Sequence, residues 1–316
     1  MTRASVVMRG ANVVIIDKAG LVASVILILG ITAAGSAAAQ DPTTDPNQTR
    51  PADLETARGL ALGSGARATA VSTSAVAYNP AGMALARSYH IESQIHFEPA
   101  SGRFAFGGGI ADSSTNKLAM GTSFVGIMGN GETGYSGMDG RVAFALPLGD
   151  SFAIGVSGRY LSLGREGKAP PGTDQDAPVS EGFTMDGSFA LSINVIRIAG
   201  IAQNFIEVGG LLAPRRFGGS VGLVIGESFT ISGDLLADID SFPNPEVITG
   251  GGLEFLAGGV VPLRAGYRYD SGREAHAITA GLGYTDANFG IETSLRQDVG
   301  NTDDTSVMIG LRYFVQ

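Results

Sequence analysis

The feature that most constrains this chain is an alternation of side-chain character with period two. Its last strand-like stretch shows the pattern plainly. Val307, Ile309, Leu311, Tyr313 and Val315 alternate with Ser306, Met308, Gly310, Arg312 and Phe314. Successive side chains of a strand point to opposite faces, so this period reads as a strand with its odd positions on one face. The same pattern places Phe152, Ile154, Val156 and Tyr160 opposite Ser151, Ala153, Gly155, Ser157 and Arg159. It places Phe183, Met185, Phe189, Leu191 and Ile193 opposite Thr184, Asp186, Ser188, Ala190 and Ser192. It recurs in 227–239 and in 259–270. Fourteen such segments are read, near 88–98, 102–112, 117–128, 135–148, 151–164, 181–194, 195–206, 215–226, 227–239, 246–257, 259–270, 274–285, 287–298 and 305–315. One hairpin more or less would also fit.

Each segment is about 10–14 residues, enough to cross a bilayer while tilted. Only 16% of residues are charged, 47 of 316 are glycine, and there is no cysteine. Beyond residue 39 no apolar run approaches the ~18 residues of a spanning helix. A bilayer leaves no water for unpaired backbone groups, so without helices the spanning solution is a closed barrel. The expected fold is therefore all-β, a transmembrane antiparallel barrel of about fourteen strands over 88–316. Apolar side chains should face lipid, and polar or small ones the interior. A soluble β-sandwich or solenoid is the alternative. Tight connectors at Gly149-Asp150, Asn194-Val195, Gly226-Glu227, Gly258 and Asp286 alternate with mostly longer ones, of which Arg165–Ser180 is the longest. This predicts long loops outside and both termini in the periplasm. An aromatic-rich terminal strand is also how bacterial outer-membrane barrels usually end, and the expected location is the outer membrane.

The N-terminal part reads differently. Arg3, Arg9 and Lys18 precede the apolar stretch 21–34, and the small residues Ala37-x-Ala39 follow it. That is the order of a secretory signal over 1–39, with Met8 as a possible alternative start; an anchor helix is the other reading. Residues 40–52 hold three prolines and read as a flexible leader. Residues 53–87 are small, weakly charged and non-alternating, as a plug filling a lumen would be. Leu54, Ala57, Leu60 and Ala61 fall at helical spacing. Asn79-Pro80 should end one short segment and open a turn into the first strand, because the residue before proline is pushed out of the helical region and proline suits a first helical turn. Arg67, buried in such a lumen, would need an acid; the candidates are Asp186, Asp234, Asp238, Glu254 and Glu292.

Gly65-Ala66-Arg67-Ala68 followed by Ser74-Ala75-Val76-Ala77-Tyr78-Asn79-Pro80-Ala81-Gly82-Met83-Ala84 resembles the plug region of the outer-membrane long-chain fatty-acid transporter superfamily (FadL/TodX type), and more closely its PorV-like branch. Ile201-Ala202-Gln203-Asn204-Phe205 and Leu263-Arg264-Ala265-Gly266-Tyr267 fit the same superfamily. The resemblance implies a plugged barrel passing small hydrophobic, fatty-acid-like compounds by gated passive diffusion. For the PorV-like branch it implies a non-transporting scaffold that docks secreted or surface proteins. The plug and gate motif would be Arg67, Asn79, Pro80, Ala81, Gly82 and Met83. The long helical insertions of fatty-acid transporters have no counterpart here.

Other chemistries find little support. The net charge of −9 argues against nucleic acid. His90, His96 and His276 form no metal-binding spacing, no serine is selected as a nucleophile, and neither cofactor nor enzyme activity is expected. The expected partners are outer-membrane lipid, with a hydrophobic small molecule or a secreted protein. Asp186, Asp234, Asp238, Arg264, Arg268, Glu292, Arg296 and Arg312 fall at inward positions, which predicts a cross-linked polar wall. A hydrophobic solute would then need an apolar seam between the wall and plug residues such as Leu60, Leu62, Val71, Val76 and Met83.

Overall fold

The computed structural model describes residues 56–99, 102–129, 135–165, 180–208, 213–299 and 305–315. The signal, the leader and nearly all of the long 165–180 connector lie outside them. Fourteen antiparallel strands close into one barrel, each beside its sequence neighbours and β1 beside β14. They are β1 (Tyr89–Glu98), β2 (Arg103–Asp112), β3 (Ala119–Met128), β4 (Tyr135–Pro147), β5 (Phe152–Arg165), β6 (Ser180–Ile193) and β7 (Ile196–Gln203). The second half holds β8 (Arg216–Ile225), β9 (Phe229–Asp238), β10 (Glu246–Ala257), β11 (Val261–Asp270), β12 (Ala275–Thr285), β13 (Phe289–Val299) and β14 (Thr305–Phe314). All fourteen expected segments are strands.

The side-chain period sorts the wall. On β13, Glu292, Ser294 and Arg296 are buried inward while Phe289, Ile291 and Leu295 are exposed outward. On β5, Ala153, Ser157 and Arg159 face in while Ile154, Val156 and Tyr160 face out. Tyr284, Phe289 and Tyr313 gather on the outer face at one rim, as an interfacial aromatic girdle does. A closed wall with an apolar outer face is the bacterial outer-membrane barrel, and the chain sits in that membrane. Connectors at one end, the turn end, include Asn194-Val195, where Asn194 takes a left-handed φ of 52° suited to a two-residue hairpin. The opposite, loop end carries most of the longer connectors, although 99–102 and 271–274 there are shorter than 113–118 at the turn end.

Two departures from a uniform wall matter. Leu161, Leu163 and Ile127 are buried inward near the loop end, where polar or small residues were expected. Strand β7 is also short. Asn204 has a φ of 52° and turns the chain out of the ladder. Pairing of β6 with β7 therefore stops at Gly187–Ala202, whereas pairing of β6 with β5 continues to Ser180–Leu163.

Residues 56–87 lie inside the wall. They form helix α1 (Ala57–Ala61), a 3-10 turn (Arg67–Thr69), helix α2 (Ser72–Tyr78) and a second 3-10 turn (Pro80–Leu85). Thr56 caps α1, its Oγ1 accepting from Gly59 N at 3.2 Å. Helix α1 packs on β11–β14, the first 3-10 turn on β7–β9, α2 on β1–β4 and the second 3-10 turn on β3–β6. Gly63 and Gly65 lie on β10, so this inner segment reaches all fourteen strands. Gly63 has a φ of +62°, and a Cβ there would overlap the Tyr267 backbone; the close approach needs a glycine.

Candidate functional site: the lumen and its inner segment

The motif residues of the inner segment are brought together. Arg67 Nη1 donates to Asp234 Oδ2 of β9 at 2.8 Å, and its backbone N donates to the same carboxylate at 3.3 Å. Ser220 of β8 also donates to Asp234, and the Arg67 guanidinium lies 5.2 Å from the centre of the Tyr78 ring. Of the five acids considered, Asp234 is the partner. Asn79 is fully buried and donates from Nδ2 to the carbonyl of Arg67 at 2.9 Å. Its backbone closes α2 on Ala75 O, and its carbonyl accepts from Gly82 N at 2.8 Å. Pro80 opens the second 3-10 turn. Ala81 N donates to Ser188 Oγ of β6 at 3.0 Å.

Gly82 faces into the segment itself, where a Cβ would overlap Ala70 O. It does not line a seam with the wall. Met83 and Val76 do: a Cβ on Gly121 of β3 would stand 2.5 Å from Val76 Cγ2 and 2.9 Å from Met83 Sδ.

The inward charges form an alternating chain. Arg58 of α1 donates to Glu254 at 3.0 Å, and Arg264 to Glu254 at 2.5 Å. Arg264 also pairs with Glu292, Arg312 pairs with Glu292 at 2.5 Å, and Arg312 lies 3.3 Å from Glu92. Glu92 accepts from Thr73 of α2. The chain thus begins and ends on the inner segment and crosses β10, β11, β13, β14 and β1 between. Arg268 donates to Ser64 Oγ at 3.3 Å, and Arg296 lies 3.6 Å from Glu98 and 3.4 Å from Asp298. Asp238 stands 3.6 Å from Arg216.

A second cluster was read only in part from the sequence, which placed Asp186 inward but did not join it to Asp139, Arg141 and Arg159. The register sets Arg141 of β4 directly opposite Arg159 of β5. Like charges so placed repel, and acids offset them. Asp139 receives Arg159 Nη2 at 2.6 Å and Arg141 Nε at 3.3 Å, and Asp186 lies 3.7 Å from Arg141. The arginine and aspartate two residues apart on β4 were the available signal. His96 faces the lumen 3.5 Å from Glu98, and His276 stacks on Tyr269 with centroids 4.6 Å apart. His90 accepts or donates at Nδ1 with Ser72 and meets Phe314 edge-on at 4.4 Å.

Beyond Arg103, which pairs with Glu98 at the loop end, the inward residues of β2 and β3 carry no charge. The inward residues of β2 and β3 pair as Ala105–Ile127, Gly107–Val125, Gly109–Ser123 and Ala111–Gly121, with Ala119 below. This strip runs from the Ala105–Ile127 pair to Ala119, and Val76, Ala77 and Met83 of the inner segment cover its turn-end half. A cavity of about 40 Å³ lies on it, lined by Gly109, Ser123 and Val125 together with the charged Glu92, Asp139 and Arg141. A second of about 30 Å³ lies among Arg67, Tyr78, Arg141, Arg159, Asp186 and Asn204. A larger one of about 270 Å³ lies toward the turn end, between Val71, Arg58, Glu254, Arg264, Glu292 and Arg312.

No family model matches the chain, and no curated protein is similar to it. Among solved structures, the chain is similar in fold to the Ralstonia pickettii toluene transporter TbuX, with a TM-score of 0.61 and 13% identity over 84% of this chain and 100% of that one. The KdgM porin superposes with a TM-score of 0.41 and 8% identity over 72% of this chain and 99% of that one. A Rhodopseudomonas blastica porin variant gives a TM-score of 0.41 and 9% identity over the same shares. The likeness to the toluene transporter is one of fold, and at that level it agrees with the superfamily resemblance carried by Gly65–Ala84.

Proposed function

We propose that this barrel passes small hydrophobic compounds across the outer membrane, with residues 56–87 as a plug that gates the passage. The observation that carries this reading is the uncharged strip on β2 and β3. Elsewhere the lumen is bridged by ion pairs, which desolvate poorly against an apolar solute. Along the turn-end half of the strip, Ala111, Ala119 and Gly121 meet Val76 and Met83, so a molecule there would face mainly apolar contacts. The fold likeness to a toluene transporter supports an apolar cargo. Opening would need α2 and the second 3-10 turn to move off β3, since both now pack on it.

The second reading is a non-transporting scaffold for secreted proteins. It is favoured by the small size of the two cavities along the inner segment and by the closed charge chain from Arg58 to Thr73. The two readings separate in one measurement. Cells producing the protein should take up naphthalene faster than cells lacking it, with barrel assembly checked by heat-modifiable gel mobility. Equal uptake by both would favour the scaffold.

A further inference from the structure

We propose that the cavity of about 30 Å³ beside Arg67 is a binding site for a monatomic anion such as chloride, and that the anion fastens the inner segment to the wall. Such a site is compatible with transport and with a scaffold alike. Five arginines line the cavity: Arg67 from the inner segment, Arg141 from β4, Arg159 from β5, Arg216 from β8 and Arg268 from β11. Two carboxylates line it with them, Asp186 and Asp234. Asp139 and Asp238 stand behind, paired with Arg141, Arg159 and Arg216. Five positive charges thus gather around four negative ones, and all nine side chains are buried. A guanidinium does not give up its proton in a protein, so the excess is not removed by titration. Buried charge calls for a counter-charge.

The acceptors at the cavity are already engaged. Asp234 receives the amide and Nη1 of Arg67 together with the Ser220 hydroxyl. Asp186 receives Asn204 N at 2.8 Å and Ser157 Oγ at 3.1 Å, and Asn204 Oδ1 receives Arg159 Nη1 at 2.9 Å. Arg67 is 7% exposed, and its Nε is buried without a hydrogen-bond partner. Arginine offers donors alone, so the group that completes this cluster is an acceptor carrying negative charge. Size selects among anions. One water needs roughly 10–15 Å³ of this kind of space. A cavity of about 30 Å³ therefore takes a single halide and excludes an organic acid. Water in the same place would accept from a donor and leave the charge excess standing. Arg67 belongs to the inner segment and the other four arginines to the wall, so an anion among them ties one to the other.

Crystals of the whole barrel soaked in sodium bromide test the site directly, because bromide scatters anomalously. A bromide peak should stand in the cavity, within hydrogen-bonding reach of the Arg67 guanidinium. Arg67→Gln should lose that peak, and Arg216→Gln serves where the first variant does not assemble. The fastening is read in solution by amide exchange over residues 66–82. Exchange in sodium bromide is compared with exchange in sodium gluconate at equal ionic strength, since gluconate is too large for the cavity. Bromide should slow exchange about fivefold or more, the lower range for two linked equilibria. The variant should exchange equally in the two salts, which separates the site from general salt effects. No peak in the cavity, a peak that persists in the variant, or equal exchange of the parent in both salts would overturn the assignment.

Discussion

Arg67 and Asp234 meet through both the side chain and the backbone of the arginine, at 2.8 Å from Nη1 and 3.3 Å from the amide nitrogen. Both residues are buried, so the contact ties the inner segment to β9 in a region of little water. Replacing one partner leaves the other charge buried and uncompensated, at a cost of about 3–5 kcal/mol. Asp234→Ala should therefore lower the urea midpoint of the barrel in vesicles strongly. The Arg67→Ala, Asp234→Ala double variant should lose less than the sum of the singles. Additive losses would mean that the pair does not act as a unit.

Gly155 of β5 faces the Pro80–Ala81 peptide, and a Cβ there would overlap Ala81 N. Overpacking of this kind costs about 1–3 kcal/mol when the neighbour cannot yield. Here the neighbour is a short 3-10 turn, which can leave while the strands stay paired. Gly155→Val should raise single-channel conductance in planar bilayers while heat-modifiable mobility stays normal. Parental conductance would show that the turn stays seated or that it does not limit the opening.

The strands were legible in the sequence because every one has a lipid face, and lipid tolerates only apolar side chains there. That constraint wrote the period into Phe152–Tyr160 and Val307–Val315. The inward charges followed from the same parity, as with Asp234, Arg264 and Glu292. Their partners did not follow, because a partner depends on register and on inner-segment geometry. Arg58 reaches Glu254 across 196 positions of sequence, and no local pattern encodes that. The early end of β7 was missed for another reason. Asn204-Phe205-Ile206 keeps an apolar flavour, and only the left-handed turn at Asn204 shows that the ladder has stopped. The inward Leu161 and Leu163 were missed because an inward position was equated with a polar or small one.

The connector pattern predicts the orientation. Most connectors at the turn end are tight, as at Asn194-Val195, with 113–118 the exception, and the loop end holds longer ones such as 239–245. A peptide tag inserted at Asn244 should be reached by antibody on intact cells, and one at Asp150 only after the outer membrane is opened. The reverse result would invert the barrel.

Acid should loosen one loop-end contact. Arg215 Nη2 donates to Asp240 at 2.7 Å, and the backbone N of Arg215 donates to the same carboxylate at 2.8 Å. The Arg215 hydrogen bonds hold Asp240 below the ordinary carboxylate range. A depressed folded-state value gives stabilisation that is present above the unfolded value, about 3.9, and is lost as pH falls through the depressed one. The Arg215 amide should thus lose protection below about pH 4 after correction for intrinsic exchange. Asp240→Asn should show the weaker protection already at neutral pH, with little further change in acid. Protection independent of pH in the parent would mean that Asp240 does not hold this contact.

The uncharged strip makes the sharpest demand on the transport reading. Val125 sits on it beside Gly107 and lines the cavity of about 40 Å³ with Ser123 and Ala77. It is not among the residues that pair charges, and the strand around it is held by its neighbours β2 and β4. An aspartate there would place a carboxylate on the strip itself, in a cavity that Glu92 and Asp139 already edge. It would either hold water on the strip or draw Arg141, which lines the same cavity, across it. Both outcomes obstruct an apolar solute and spare the outer face. Val125→Asp should therefore abolish protein-dependent naphthalene uptake while the barrel assembles normally. Val125→Leu keeps the strip apolar and should retain uptake. If Val125→Asp passes naphthalene as the parent does, the strip is not the route, and the cargo crosses by the charged side of the lumen or outside the barrel altogether.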